Sequence, residues 1–98
     1  MSLASPSVKV HLHWTAPAPH GNSFSIPVRF DHQGDDWKND AWSLVFDVEA
    51  PPDANGKQLA TAKFLATNAP HNWLAPGRRF TLQADKPIAE GVVIEAIE

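Results

Sequence analysis

The stretch Val8-Lys9-Val10-His11-Leu12-His13-Trp14 alternates apolar and polar residues without a break. Val8, Val10, Leu12 and Trp14 fall on one face, and Lys9, His11 and His13 on the other. A repeat of two marks a strand with one buried face, whereas a helix would need a period of 3.6. The rhythm returns in Phe24-Ser25-Ile26-Pro27-Val28-Arg29-Phe30-Asp31, with Phe24, Ile26, Val28 and Phe30 inward. Pro27 has no N–H to give a ladder, so this second strand is expected at an edge or with a bulge. Trp42, Leu44, Phe46 and Val48 alternate with Ser43, Val45, Asp47 and Glu49 in a third.

Beyond the turn cluster Pro51-Pro52-Asp53-Ala54-Asn55-Gly56, residues Leu59 to Thr67 are rich in alanine and do not settle their own period. By propensity Leu59 to Leu65 could form a short helix, but strands on either side make this segment a fourth strand by context. A loop from Asn68 ends at Ala75-Pro76-Gly77, after which Arg79-Phe80-Thr81-Leu82-Gln83 alternates again with Phe80 and Leu82 inward. Asp85-Lys86-Pro87 forms the next turn, and Ile88 to Ile97 is the last strand. Gly91 within it implies a bulge or a sharp bend. Six strands joined by short turns, with no long helix, mean an all-β barrel or sandwich. At 98 residues the chain is one domain, 1–98, with a core large enough to fold without staples.

An apolar content of 43% with a net charge of −3 is outside the range of disordered chains. There is no cysteine, which rules out disulfides, thiolate metal sites and a cysteine nucleophile, and suits a reducing compartment. The first residues show neither a basic region nor a sustained apolar run, and no segment approaches the ~20 residues that cross a bilayer. The expectation is a soluble, cytoplasmic protein with no membrane partner.

Charge is distributed unevenly. Asp31, Asp35, Asp36, Asp40, Asp47, Glu49 and Asp53 are opposed only by Lys38, while Lys57, Lys63, Arg78 and Arg79 follow with no acid before Ala84. Read plainly, these are solvated loops and outer strand faces. Read functionally, the basic segment meets a phosphate backbone or an acidic partner. A dedicated nucleic-acid binder carries a strongly basic domain, and the pI here is about 5.9.

No motif assigns catalysis. His11 and His13 share a strand face and are close enough to share a metal, but a third ligand such as His32 or Asp31 is demanded by no spacing. Asp35, Asp36 and Asp40 lack the alternation of a calcium loop, and nothing fixes a carboxylate pair. There is no G-x-S-x-G elbow, and the Gly56-Lys57 pair lacks the remaining elements of a phosphate loop. The expectation is therefore a chain that is not an enzyme and has no metal and no cofactor. Of the tryptophans, Trp14 and Trp42 read as core, whereas Trp37 and Trp73 fall in loops. A loop tryptophan either anchors a partner or folds back over the end of the core.

Phe64-Leu65, then Leu74-Ala75-Pro76-Gly77-Arg78-Arg79-Phe80-Thr81-Leu82, then Ala89-Glu90-Gly91-Val92-Val93 resembles the C-terminal β-barrel domain of translation elongation factor Tu. Gly77, Arg79, Phe80, Leu82, Gly91 and Val92 follow that domain's order. Val8 to Trp14 followed by His20-Gly21-Asn22-Ser23-Phe24 is similar to its first strand and glycine-containing loop. The likeness is good over residues 57–98 and looser before them. It implies a small closed antiparallel six-stranded β-barrel. Two departures bear on activity. No GTPase domain is present, and the family's Gly-Gly-Arg turn, which approaches the tRNA backbone, is replaced by Asp85-Lys86-Pro87. The Asp31 to Asp40 loop with Trp37 has no counterpart in the family's pattern.

Three readings follow, in order. The first is a non-catalytic interaction module that docks a protein partner through Trp37 or Trp73. The second is an RNA- or tRNA-binding accessory of translation using Arg78, Arg79, Lys57 and Lys63. The third is a small hydrolase or metal enzyme built on His11 and His13.

Overall fold

In the computed structural model, which describes residues 7–19, 21–33, 41–66, 68–84 and 86–97, each alternating stretch is a strand. They are β1 (Ser7–Trp14), β2 (Ser23–Phe30), β3 (Trp42–Asp47), β4 (Lys57–Phe64), β5 (Arg79–Gln83) and β6 (Pro87–Ile97). The strands close into an antiparallel barrel in the order β1-β4-β3-β2-β5-β6, with β6 returning to β1. Alternation explains the closure, because every strand has one apolar face to bury and a closed sheet leaves no free edge. The alanine-rich segment is a strand, beginning at Lys57 and ending at Phe64. Among the described residues no helix is long and apolar enough to cross a membrane.

The inward side chains fill the barrel. Phe30, Phe46, Phe64, Leu12, Leu44 and Leu82 are fully buried. A line of aromatic contacts runs through it, from Trp14 to Phe24 (5.7 Å between centroids), Phe46 (5.5 Å), Phe80 (6.2 Å) and Phe30 (6.0 Å). Trp14 is buried, as its alternation implies. Its Nε1 donates to the Gln58 side-chain oxygen at 2.8 Å, and the Gln58 amide nitrogen donates to the Ala50 carbonyl at 2.7 Å. Gln58 is the buried polar side chain of the described residues, and both ends of its amide are satisfied. Trp42 is half-buried at the opposite end, against Phe64 (6.1 Å).

Two expectations are corrected. β2 is not the edge of an open sheet, since it lies between β3 and β5. Its ladder to β5 begins only at Val28, so Pro27 stands just outside that ladder and its missing N–H costs nothing there. Gly91 is not itself a bulge. The register shifts of β6 leave Ile94 unpaired against β1 and Ile88 unpaired against β5, one on either side of Gly91. Gly91 serves close approach: a Cβ there would stand 2.4 Å from the Phe80 ring and 3.1 Å from Leu12.

The β1–β6 ladder runs the full length of β1, so that Ser7 is opposite Ile97 and Trp14 is opposite Ala89. The turn before β4 is set by Asp53. Its carboxylate accepts from the Asn55 N–H at 2.8 Å and the Lys57 N–H at 2.9 Å, and Gly56 takes a positive φ of 79° to complete it.

Candidate functional site

The outward residues of β1, β6, β5 and β2 are brought together by register. His13 is opposite Glu90, Glu90 is opposite Thr81, and Thr81 is opposite Arg29, which makes one row across four strands. His11 is opposite Val92 and Val92 is opposite Arg79. The Asp31 N–H then donates to the Arg79 carbonyl at 3.0 Å, completing a second row beside the first. These side chains line a groove of about 520 Å³ on the outside of the barrel. Phe30, Phe80 and Gly91 point inward, so they contribute backbone to its floor. The absence of a side chain at Gly91 lets Phe80 pack directly beneath it.

The groove holds charges of both signs. Arg29 and Arg79 lie on the β2–β5 side, and Glu90 with His11 and His13 on the β6–β1 side. Among the described residues Arg29, Arg79 and Glu90 make no ion pair and no side-chain hydrogen bond. Asp31 is 3.9 Å from the Arg78 guanidinium and is thereby partly compensated from outside the groove. Arg79, Glu90 and His13 are exposed, while Arg29, Thr81 and His11 are half-buried.

The residues singled out from the sequence have different fates. Trp37, with Asp35, Asp36, Lys38 and Asp40, lies outside the described residues. Trp73 ends a short 3₁₀ helix, His71–Trp73, and is half-buried against the core. Its ring meets Phe30 edge-on at 5.4 Å and His32 at 4.5 Å, which is the folded-back arrangement. Arg78 holds that turn in place. Its Nε donates to the Trp73 carbonyl at 3.2 Å and one terminal nitrogen donates to His32 Nδ1 at 3.0 Å.

Arg79 alone of the four basic residues lines the groove. Lys57 is opposite His13 at one end of β4, and Lys63 is opposite Val45 on β3, so the basic segment does not fold into one stripe. His11 and His13 share the outer face as alternation requires. Among the described residues no group of three or more His, Cys, Asp or Glu could hold a metal ion.

Arg29, Thr81 and Glu90 were not singled out by sequence reasoning. Alternation alone turns each outward, but only the strand order and register make them neighbours. No family model matches the chain, and neither the curated proteins nor the solved structures contain a match. The closed six-stranded barrel is the fold that the elongation-factor resemblance implies. Unrelated chains also share such barrels, so the fold does not carry the family.

Proposed function

We propose that this barrel is a non-catalytic interaction module that docks a protein partner, with the groove over β1, β6, β5 and β2 as its docking face. The observation that carries the reading is a set of charges of both signs on neighbouring strands, of which Arg29, Arg79 and Glu90 have no ion pair among the described residues. Structural charges are ordinarily paired or scattered, whereas these converge on one concavity. The groove lies on the outer face with Arg79, Glu90 and His13 exposed, unlike the water-excluded setting that makes polar groups catalytic. Trp73 and Arg78 serve the fold in this reading, and Arg79 remains a binding residue.

The RNA reading, with a role beside translation, rests on Arg79, exposed in the groove. A polyanion would also face Glu90 and Asp31 there, in a chain of net charge −3, and the bases that would track its backbone lie on different faces. A protein partner fits better.

The test is capture from a lysate at low salt, with and without nuclease, comparing the natural chain with an Arg29→Glu/Arg79→Glu double variant and a Lys63→Glu control. A nuclease-resistant partner retained by the control and lost by the double variant is the expected result. Nuclease-sensitive RNA would move the assignment to the second reading. A partner retained by the double variant would remove the groove from the function.

A further inference from the structure

The chemistry of the docked segment can be read from the arrangement of the groove. This step rests on the docking reading above. Arg29 and Arg79 stand on adjacent strands in adjacent rows, with Thr81 directly across from Arg29 in the ladder. Guanidinium forks are suited to oxygen anions, which they grip with paired N–H groups. Glu90 is on the next strand, opposite Thr81, and is open to solvent. The arginine side also carries Asp31, offset by Arg78 at 3.9 Å, so it is net cationic, while the β6 side carries Glu90.

The separation selects a ligand. The midpoint of the two arginines lies between β2 and β5 and half a row along the strands from Glu90, so the strand positions put Glu90 ~8 Å from it, within side-chain reach of a two-residue peptide repeat. Side chains on one face of an extended peptide repeat every two residues, at ~6.7 Å. We infer that the groove takes an extended peptide segment bearing a carboxylate at one position, held by Arg29, Arg79 and Thr81. A cationic side chain two residues away is held by Glu90. A second negative charge in place of the cation would meet Glu90 and is rejected, which is how such a site discriminates. His13, opposite Glu90, forms the far wall.

The test uses isotope-labelled protein at low ionic strength, where exposed charges are least screened. The probe is an acetylated and amidated Ser-Glu-Ser-Lys-Ser peptide. Three controls replace its Glu by Gln, its Lys by Gln, or its Lys by Glu. Amide shifts should cluster at Arg29, Arg79, Thr81 and Glu90. Each Gln control, and each of the Arg29→Gln and Arg79→Gln variants, should weaken binding by about threefold.

The decisive arm is Glu90→Lys, which should invert the preference so that the Ser-Glu-Ser-Glu-Ser peptide binds more tightly than the parent. A change that merely disturbed the barrel would weaken both peptides alike. Equal binding of the Glu and Gln peptides, shifts away from these four residues, or no inversion in Glu90→Lys would overturn the inference. If the double arginine variant abolishes capture of a protein partner while these peptides fail, the docking face stands and the segment chemistry falls. If capture survives that variant, the docking face falls first.

Discussion

Gly91 and Phe80 are cross-strand partners, and the Phe80 ring fills the interior space that a side chain at Gly91 would need. With φ in the ordinary range, Gly91 is needed for space and not for backbone freedom: an added methyl would sit 2.4 Å from the Phe80 ring and 3.1 Å from Leu12. Gly91→Ala should destabilise the barrel by about 1–3 kcal/mol in denaturant unfolding, the usual cost of overpacking. Phe80→Leu in the same chain should recover part of that loss, so the two changes should not add. Additive losses would show that Gly91 is required for some other reason.

Asp53 gives a pH dependence at the same scale. The N–H groups of Lys57 and Asn55 hold its carboxyl below the usual carboxylate range; desolvation opposes them, and the smaller effects of the Lys57 and His11 charges assist. A lowered folded-state value makes the contribution fully present above the unfolded value of ~3.9, and it is lost as the pH falls through the folded value. The Asp53 carboxyl, followed by NMR, should titrate below that reference. The Asn55 and Lys57 amide signals should move with it. A titration at or above the reference would show that the turn is not closed by this carboxylate.

At the scale of an element, the segment between β4 and β5 is tied down by one side chain. The Arg78 guanidinium is a permanent donor, so the nitrogen of His32 that it meets, Nδ1, must be the unprotonated one, leaving the hydrogen on Nε2. Nitrogen NMR at neutral pH should report that tautomer. Arg78→Ala should convert His32 to the mixture of an unconstrained ring and raise hydrogen exchange at the Leu74 N–H, which donates to the His71 carbonyl. Arg78→Lys should not restore either, because one ammonium cannot span the Trp73 carbonyl, His32 and Asp31 together. An unchanged His32 spectrum in Arg78→Ala would refute the tether.

The strands themselves were legible in the sequence from period two, since burying one face leaves a direct mark on residue order. The ends of β4 were less so: Leu65 to Thr67 continue the composition of the strand, but its ladder to β3 stops at Phe64. The 3₁₀ turn at His71–Trp73 left no periodic signal, because three residues are too few to carry one. The candidate site was hidden for a different reason. Arg29, Thr81 and Glu90 lie on strands whose order, β2-β5-β6, is set by long-range pairing that no local pattern encodes. Conversely, Arg78 and Arg79 read as a pair in sequence, while the start of β5 turns Arg79 into the groove and Arg78 is tied to the Trp73 turn.

On the scale of the whole molecule, closure makes β1 and β6 neighbours along their length, and Ser7 faces Ile97. The two ends of the barrel's chain therefore lie side by side at one rim, about 5 Å apart as paired strand residues are. A short link between them would close a loop already nearly closed, at little entropic cost. A circular permutant joined by a Gly/Ser linker and reopened between the exposed Ala54 and Asn55 should fold to the same barrel, with the same strand ladders by NMR. It should lose only the stability of the Asp53 turn. Failure to fold would mean that the order in which strands emerge, and not their final pairing alone, is required. A barrel whose entrance and exit share a doorway can also be seated within a loop of another protein without prising that host apart.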